Sequence, residues 1–243
     1  LKWLLPKQKI LLFKAWDQIP YDNISPSKEV QTSRLETLYY LNTKTDEKII
    51  ILTTINAIIQ KIIPKHELKK NYIKISKSSK LKIDELLSLL IKLGYERVSI
   101  VRDKSEFAVR GSIIDIYLPQ IKNPIRIDLF DNDIESIFEF DVITQTRISK
   151  SNLNNLSINA STELIIDTEH LEKFRSNFRE IFQDYRKSQV YNLFSEGITP
   201  SGGEQYIPLF YKKLDTLFDY FQKSHLIINH DIINLFEQRL ENL

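Results

Sequence analysis

Apolar and polar positions alternate with two different periods along this chain, and the switches between them divide it into three sections. Ile83, Leu86, Leu87, Leu90 and Leu93 keep the spacing of one helical face, and Gly94 follows as a terminator. The period then falls to two. Arg97 to Val101, Phe107 to Arg110, Ser112 to Tyr117, Ile125 to Phe130 and Ile134 to Phe140 alternate as strands of an antiparallel sheet do. With a strand expected at Tyr72 to Ile75, this block, from about Lys65 to Leu156, reads as a small α+β domain.

Ahead of it, to about Pro64, the order is strand, helix, strand, helix. Lys9 to Phe13 is a short apolar run, followed by a loop through Trp16, Pro20 and Pro26. Ser27 caps a helix to about Leu41, with Val30, Leu35, Leu38 and Leu41 on its apolar side. Ile49 to Leu52 is a continuous apolar strand, and Thr53 or Thr54 opens a helix bearing Ile55, Ile58, Ile59 and Ile62. That order predicts an α/β layer with a partly parallel sheet. The last section returns to helices. Leu171, Phe174, Phe178, Ile181, Phe182 and Tyr185 form an aromatic-rich stripe at helical spacing, expected in the core. Gly197, Pro200, Gly202 and Gly203 mark a loop, Leu226 to Ile228 reads as a short strand, and Asp231 caps a last helix ending near Leu240.

Composition narrows the function classes. The 243 residues are 42% hydrophobic and 27% charged, as in soluble globular proteins, and the net charge of +2 demands neither nucleic acid nor a membrane. There is no cysteine, which removes disulfides, thiolate catalysis and cysteine metal sites and fits a reducing cytoplasm. No apolar run approaches the roughly 20 residues of a membrane helix. The opening Leu1-Lys2-Trp3-Leu4-Leu5-Pro6 lacks an initiator Met and a signal-peptide layout, and reads as the cut edge of a longer protein. Lys65, Lys69, Lys70, Lys74, Lys77, Lys80 and Lys82 make a basic stretch, but they are spread out and Glu67 interrupts them. A solvated linker and strand face is the simpler reading; the rival, a DNA-binding fragment, predicts affinity that falls steeply with salt.

The search for chemistry returns mostly negatives. There is neither a G-x-x-x-x-G-K-[ST] phosphate loop nor a G-x-G-x-x-G, so no cofactor is expected in this chain. His66, His170, His225 and His230 show no metal spacing, and no metal site is expected. Asp115, Asp128, Asp131, Asp133 and Asp141 crowd together in sequence, but most fall at strand ends and turns, where Asp is ordinary. No catalytic residue is nominated.

One hairpin is more informative. Alternation puts Ile125, Ile127 and Leu129 on one face and Arg126, Asp128 and Phe130 on the other. A turn at Asn132-Asp133 would pair Leu129 with Ser136, Ile127 with Phe138 and Ile125 with Phe140. It leaves an aromatic beside an arginine on the face that should be polar, a combination enriched in protein-binding hot spots. Arg110 shares that face by the same alternation. The same register sets Glu139 opposite Arg126, and that ion pair would explain the arginine without a partner.

At these residues the sequence also resembles a known family. Glu106-Phe107-Ala108-Val109-Arg110-Gly111-Ser112-Ile113-Ile114-Asp115-Ile116, Arg126 to Asp131 and Ile134 to Ile137 are similar to the module shared by the repair helicase UvrB and the transcription-repair coupling factors. The likeness extends through Ala15 to Asp22, Ser25-Pro26, Ser33-Arg34-Leu35, Thr53 to Ala57, Phe140-Asp141, Thr144-Gln145, Pro200 to Phe210 and Leu217 to Phe221. It favours the coupling factors. Tyr21 leads within a few residues to Ser25-Pro26, leaving no room for UvrB's damage-probing hairpin. Gly197 to Phe210 also resembles their G-x-x-P-x-G-x-E-x-x-x-P-L-F pattern, departing from it at Gly203, where an apolar residue is usual.

The resemblance implies α/β plus α+β architecture: a degenerate motor-like (RecA-like) α/β domain split in sequence, with a small α+β domain inserted. Residues 1–65 would be its first part, 66–158 the inserted UvrA-binding domain, and 159–243 the helix-rich second part. It also implies a bacterial, cytoplasmic, non-catalytic module in nucleotide excision repair. The UvrA contact maps onto Arg110, Arg126 and Phe130, with Arg97 added by comparison with UvrB. The arginines would bond carboxylates of UvrA and Phe130 would fill a pocket. RNA polymerase, DNA, and ATP with Mg would belong to motor and polymerase-binding domains elsewhere in a parent protein, other domains of which would mask the patch. The module itself is expected to be a monomer.

Overall fold

The computed structural model describes residues 3–19, 22–43, 48–77, 79–221, 224–228 and 230–241. Pro20 and Tyr21, part of the family-like segment and of the expected loop, lie outside them. So does Leu1-Lys2 at the opening. The elements in order are β1 (Lys9–Phe13), α1 (Lys28–Thr43), β2 (Ile49–Thr53), α2 (Ile55–Ile58), α3 (Lys65–Lys70), β3 (Tyr72–Ser76), α4 (Ile83–Lys92) and β4 (Glu96–Arg97). Then come β5 (Glu106–Arg110), β6 (Ile113–Ile116), β7 (Ile125–Phe130), β8 (Asp133–Phe140), β9 (Arg147–Asn152) and β10 (Asn155–Asn159). The helices α5 (Thr168–Ile181), α6 (Gln189–Ser195), α7 (Ile207–Phe210) and α8 (His230–Glu241) follow. The fold is mixed, with helices and three separate sheets among the described residues.

The parallel pairing expected near the start is present: β1 and β2 align from Lys9 opposite Ile49 to Phe13 opposite Thr53. The hydroxyls of Ser33 and Thr37 both donate to the Leu12 carbonyl at 3.0 Å, so α1 is bonded to β1, which pairs with β2 alone among the described residues. The second helix is shorter than its apolar spacing predicts. Thr54 caps it, but it stops at Ile58, because Ile62 is drawn into a two-way backbone bridge with Asp215. A distant segment outcompetes the local helix.

The six-stranded sheet runs β4-β5-β6-β7-β8-β9. Its inner face contributes Phe107, Ile114, Ile116, Ile125, Ile127, Leu129, Ile134 and Ile137 to a core that also holds Leu86, Leu90 and Leu93 of α4. Gly94 sits at φ +85°, and a Cβ there would fall 2.6 Å from Thr162 Cγ2, so the turn ending α4 requires glycine. Strand β4 is only two residues and pairs parallel with β5, shorter than the Arg97 to Val101 expected. Strand β10 pairs with β3, a ribbon that periodicity had not suggested.

Most of the buried apolar residues form one cluster from Phe13 to Tyr220. Arg34 and Glu163 tie its ends together. Arg34 is fully buried, bonds Glu163 through Nε at 2.5 Å and Nη2 at 3.2 Å, and donates Nη1 to the Lys14 carbonyl and Gln60 Oε1. In the third section Phe174 packs on Phe210 at 4.6 Å and Phe194 at 4.8 Å. A Cβ on Gly203 would lie 2.8 Å from Phe194 Cζ, which accounts for the glycine that departs from the family pattern.

Three expectations fail here. The aromatic stripe ends early: α5 stops at Ile181, and Ile181 and Phe182 are 59% and 42% exposed rather than core. Leu226 to Ile228 form no strand among the described residues and are exposed, since apolar content supplies propensity but a strand also needs a partner edge. The last helix begins at His230, so Asp231 lies in its first turn and is not its cap.

Candidate protein-docking face

The hairpin register differs from that expected by two residues next to the turn and by one beyond it. The turn is Asp131-Asn132, with Phe130 opposite Asp133 and Asp131 at φ +54°. An irregularity at Asp128 and Leu129 then shifts the pairing, so Ile127 faces Ile137, Arg126 faces Phe138 and Ile125 faces Glu139. The bulge changes the phase of β8. Ile134 and Ile137 both reach the inner core, whereas Phe140 leaves it and packs with Val101 and Ala108 in a second small cluster.

Arg126 consequently does not pair with Glu139, which accepts a hydrogen bond from Asn123 instead. Its partner is Asp115, directly across in β6. Arg126 donates Nε to Oδ1 at 2.6 Å and Nη2 to Oδ2 at 2.9 Å, and Arg110 donates Nη2 to the same Oδ2 at 2.6 Å. Asp115 is 1% exposed and lies inside β6, within the strand expected from Ser112 to Tyr117. A buried carboxylate is costly unless paired, and two guanidinium groups pair this one. Two further Arg126 hydrogen bonds reach the Gln145 carbonyl and Oε1, and its guanidinium stacks on the Phe140 ring at 4.5 Å. The Asp115 hydrogen bond raises the Arg126 pKa further, with burial opposing it and the charges of Asp115 and Asp128 adding to it.

Gln145 is held in place by the 141–146 turn. Asp141 Oδ1 accepts from the Ile143 and Thr144 amides and the Thr144 hydroxyl, and those Thr144 bonds keep the Asp141 carboxyl below its ordinary range. Gln145 itself sits at φ +58° and donates to the Val142 carbonyl at 2.9 Å. Arg126 is therefore braced from below, beside and above, with 14% of its side chain exposed, against 41% for Arg110. Phe130, on the same outer face, is 72% exposed. An apolar ring left in water on the same face as two oriented guanidiniums has the composition of a protein-binding hot spot.

Comparison with known proteins points the same way. Residues 73–163, from β3 to Glu163, match the UvrB interaction domain family. The chain is 34% identical over 227 residues to a transcription-repair-coupling factor of Haemophilus influenzae, covering 93% of this chain and 20% of that protein. It is 30% identical over 236 residues to the Escherichia coli one, covering 96% and 20%, and 29% identical to that of Bacillus subtilis, covering 96% and 21%. This chain carries a UvrB interaction domain and is a homologue of the transcription-repair coupling factors. It spans about a fifth of the length of the curated relatives it matches.

Within this UvrB interaction domain, three of the four nominated residues share one face. Arg110 and Arg126 meet through Asp115, and Phe130 follows on β7. Arg97 stands apart: it is exposed on the edge strand β4, in register with Phe107 of the inner core, and takes no part in the Asp115 cluster. Sequence reasoning missed Asp115 and Gln145 as organisers of the face. The available signal was a lone acid in the apolar run Ile113-Ile114-Asp115-Ile116, where burial of a charge implies a cation across the sheet. Among the described residues, no helix is long and apolar enough to cross a membrane. None of their His, Asp and Glu side chains gather in a group of three or more that could hold a metal.

Proposed function

We propose that this chain is a non-catalytic docking module that recruits UvrA, as part of a transcription-repair coupling factor acting in nucleotide excision repair. The carrying observation is the face built by Arg110, Arg126, Asp115 and Phe130 inside the region that matches the UvrB interaction domain. Phe130 enters a pocket of UvrA, and the guanidinium edges turned outward bond its carboxylates in surroundings the ring keeps dry. Arg97 is an outlying contact at the sheet edge. In this reading residues 66–158 are the inserted domain, flanked by the two parts of a split motor-like domain, 1–65 and 159–243. The parallel β1-β2 pair and the Arg34–Glu163 tie between those parts support that division. Polymerase binding and ATP-driven translocation on DNA belong to the remainder of the longer protein.

Calorimetric titration of this chain against UvrA tests the proposal, with the Arg126→Ala/Phe130→Ala variant alongside. Saturable binding, lost in a variant of unchanged circular dichroism, is the expected result. Wild-type affinity in a well-folded double variant removes the site, and absence of binding by the unmodified folded chain removes the function.

A further inference from the structure

The basic stretch that reads in sequence as a solvated linker is built into structure. Lys65 to Lys70 form α3, and Tyr72 to Ser76 pair with β10 as a two-stranded antiparallel ribbon. Ile75 and Ile158 turn into the core. The opposite face carries Tyr72, Lys74 and Ser76, in register with Asn159, Ser157 and Asn155. Every one of these has a side-chain group that donates hydrogen bonds, and none is acidic. The flanking chain continues the bias: no Asp or Glu occurs from Asn71 to Ile83 or from Val142 to Thr162. Glu67, which interrupts the lysines in sequence, is buried away beside His170.

The lysines are not equivalent. Lys70 pairs with Glu169 at 3.9 Å, Lys82 with Glu85 at 2.7 Å, and Lys80 is bridged across the backbone to Asp133. Lys69, Lys74 and Lys77 are exposed, and among the described residues no carboxylate lies within 4.0 Å of them. They stand at the entry, middle and exit of the ribbon, and the Lys77 amide bonds the Asn154 carbonyl at 2.9 Å, which holds the exit against β10. Uncompensated lysines set among Asn, Ser and Tyr donors are the groups that contact phosphate and sugar in protein–DNA interfaces. A two-stranded ribbon also fits a duplex groove. The one exposed aromatic, Tyr72, is covered by Lys74 Nζ at 5.4 Å, so the face offers no bare stacking platform for single strands.

We infer that the β3-β10 ribbon binds the phosphate backbone of duplex DNA through Lys69, Lys74 and Lys77, without reading sequence. This stands independently of the UvrA proposal. The two surfaces are neighbours, because Leu81 donates its amide to Asn132 at 2.7 Å in the turn that follows Phe130. Duplex held on the ribbon therefore lies beside the docking face.

The test is fluorescence anisotropy of a short labelled duplex with the full chain between about 50 and about 200 mM salt. Three phosphate contacts give a log–log slope of about −3. Lys69→Gln/Lys74→Gln/Lys77→Gln loses roughly tenfold or more at the lower salt, with a slope shallower by about 1 per lysine. Lys122→Gln/Lys212→Gln/Lys213→Gln, which removes exposed lysines elsewhere, and Arg110→Ala/Phe130→Ala both keep the affinity. No duplex binding at the lower salt overturns the inference. So does equal loss in the two lysine triples, tighter binding of a single strand, or displacement of the duplex by polyglutamate of equal charge at equal concentration.

Discussion

Arg126 and Asp115 meet through two parallel hydrogen bonds across β7 and β6, Nε to Oδ1 at 2.6 Å and Nη2 to Oδ2 at 2.9 Å. The carboxylate is buried and the guanidinium nearly so, which makes the pair a structural brace as well as part of the exposed face. Removing Asp115 strands two cations, one of them mostly desolvated. Asp115→Ala is expected to cost about 3 kcal/mol, at the low end for breaking a buried pair because Arg110 remains half in water. Urea unfolding checks this, and a loss under about 1 kcal/mol would show that the arginines find other partners.

Phe130 sits at the opposite extreme. With 72% of its surface in water it contributes little to folding, and Phe130→Ala is expected to change stability by no more than about 0.5 kcal/mol. If it anchors UvrA, the same substitution weakens binding by about 2 kcal/mol or more, roughly thirtyfold. A thermal melt and a titration on one sample separate the two. A large loss of stability would place the ring in the fold instead of the interface.

Arg34 is wholly inside, with Glu163, the Lys14 carbonyl and Gln60 as acceptors and the Phe13 ring at 4.4 Å. Arg34→Ala leaves Glu163 buried without its counter-charge and is expected to cost about 3–5 kcal/mol. The Arg34→Met/Glu163→Gln pair is expected to recover most of it, since a buried ion pair often exchanges for neutral groups at little cost. Additive losses in the double-mutant cycle would contradict the coupling.

Glu204 titrates in the opposite sense from the typical paired carboxylate. Burial raises its pKa above 4.5, only partly offset by its own amide and by the Ser25 hydroxyl, which donates to Oε2 at 2.8 Å. A raised folded-state pKa means the native protein binds the proton more tightly than the unfolded chain, so stability from this group falls as pH rises from 4.5 through the folded value. Glu204→Gln keeps the acceptor and removes the charge. It is expected to raise the melting temperature at neutral pH, with the gain vanishing below 4.5. A gain independent of pH would assign the effect to packing.

What the sequence determined by itself was local. Helical spacing from Ile83 to Leu93 and the stop at Gly94 place α4, alternation from Phe107 to Phe140 places the central strands, and the parallel first pair follows from strand–helix order. Alternation also brought Arg110, Arg126 and Phe130 to one face, because side-chain direction along a strand is a property of the backbone alone. The tertiary structure decided everything that depends on a residue far away. The β7-β8 register turned on one positive φ at Asp131 and a bulge beyond it, which moved Glu139 out of line with Arg126, while the β6-β7 register set Asp115 across from it. Strand β10 formed because β3 offered an edge, the helix after Thr54 stopped because Asp215 claimed Ile62, and Leu226 to Ile228 met no partner strand among the described residues. Periodicity reports which side of an element is apolar. Which charge a buried carboxylate meets is settled only when the strands pack, since only burial makes an unpaired charge too costly to keep.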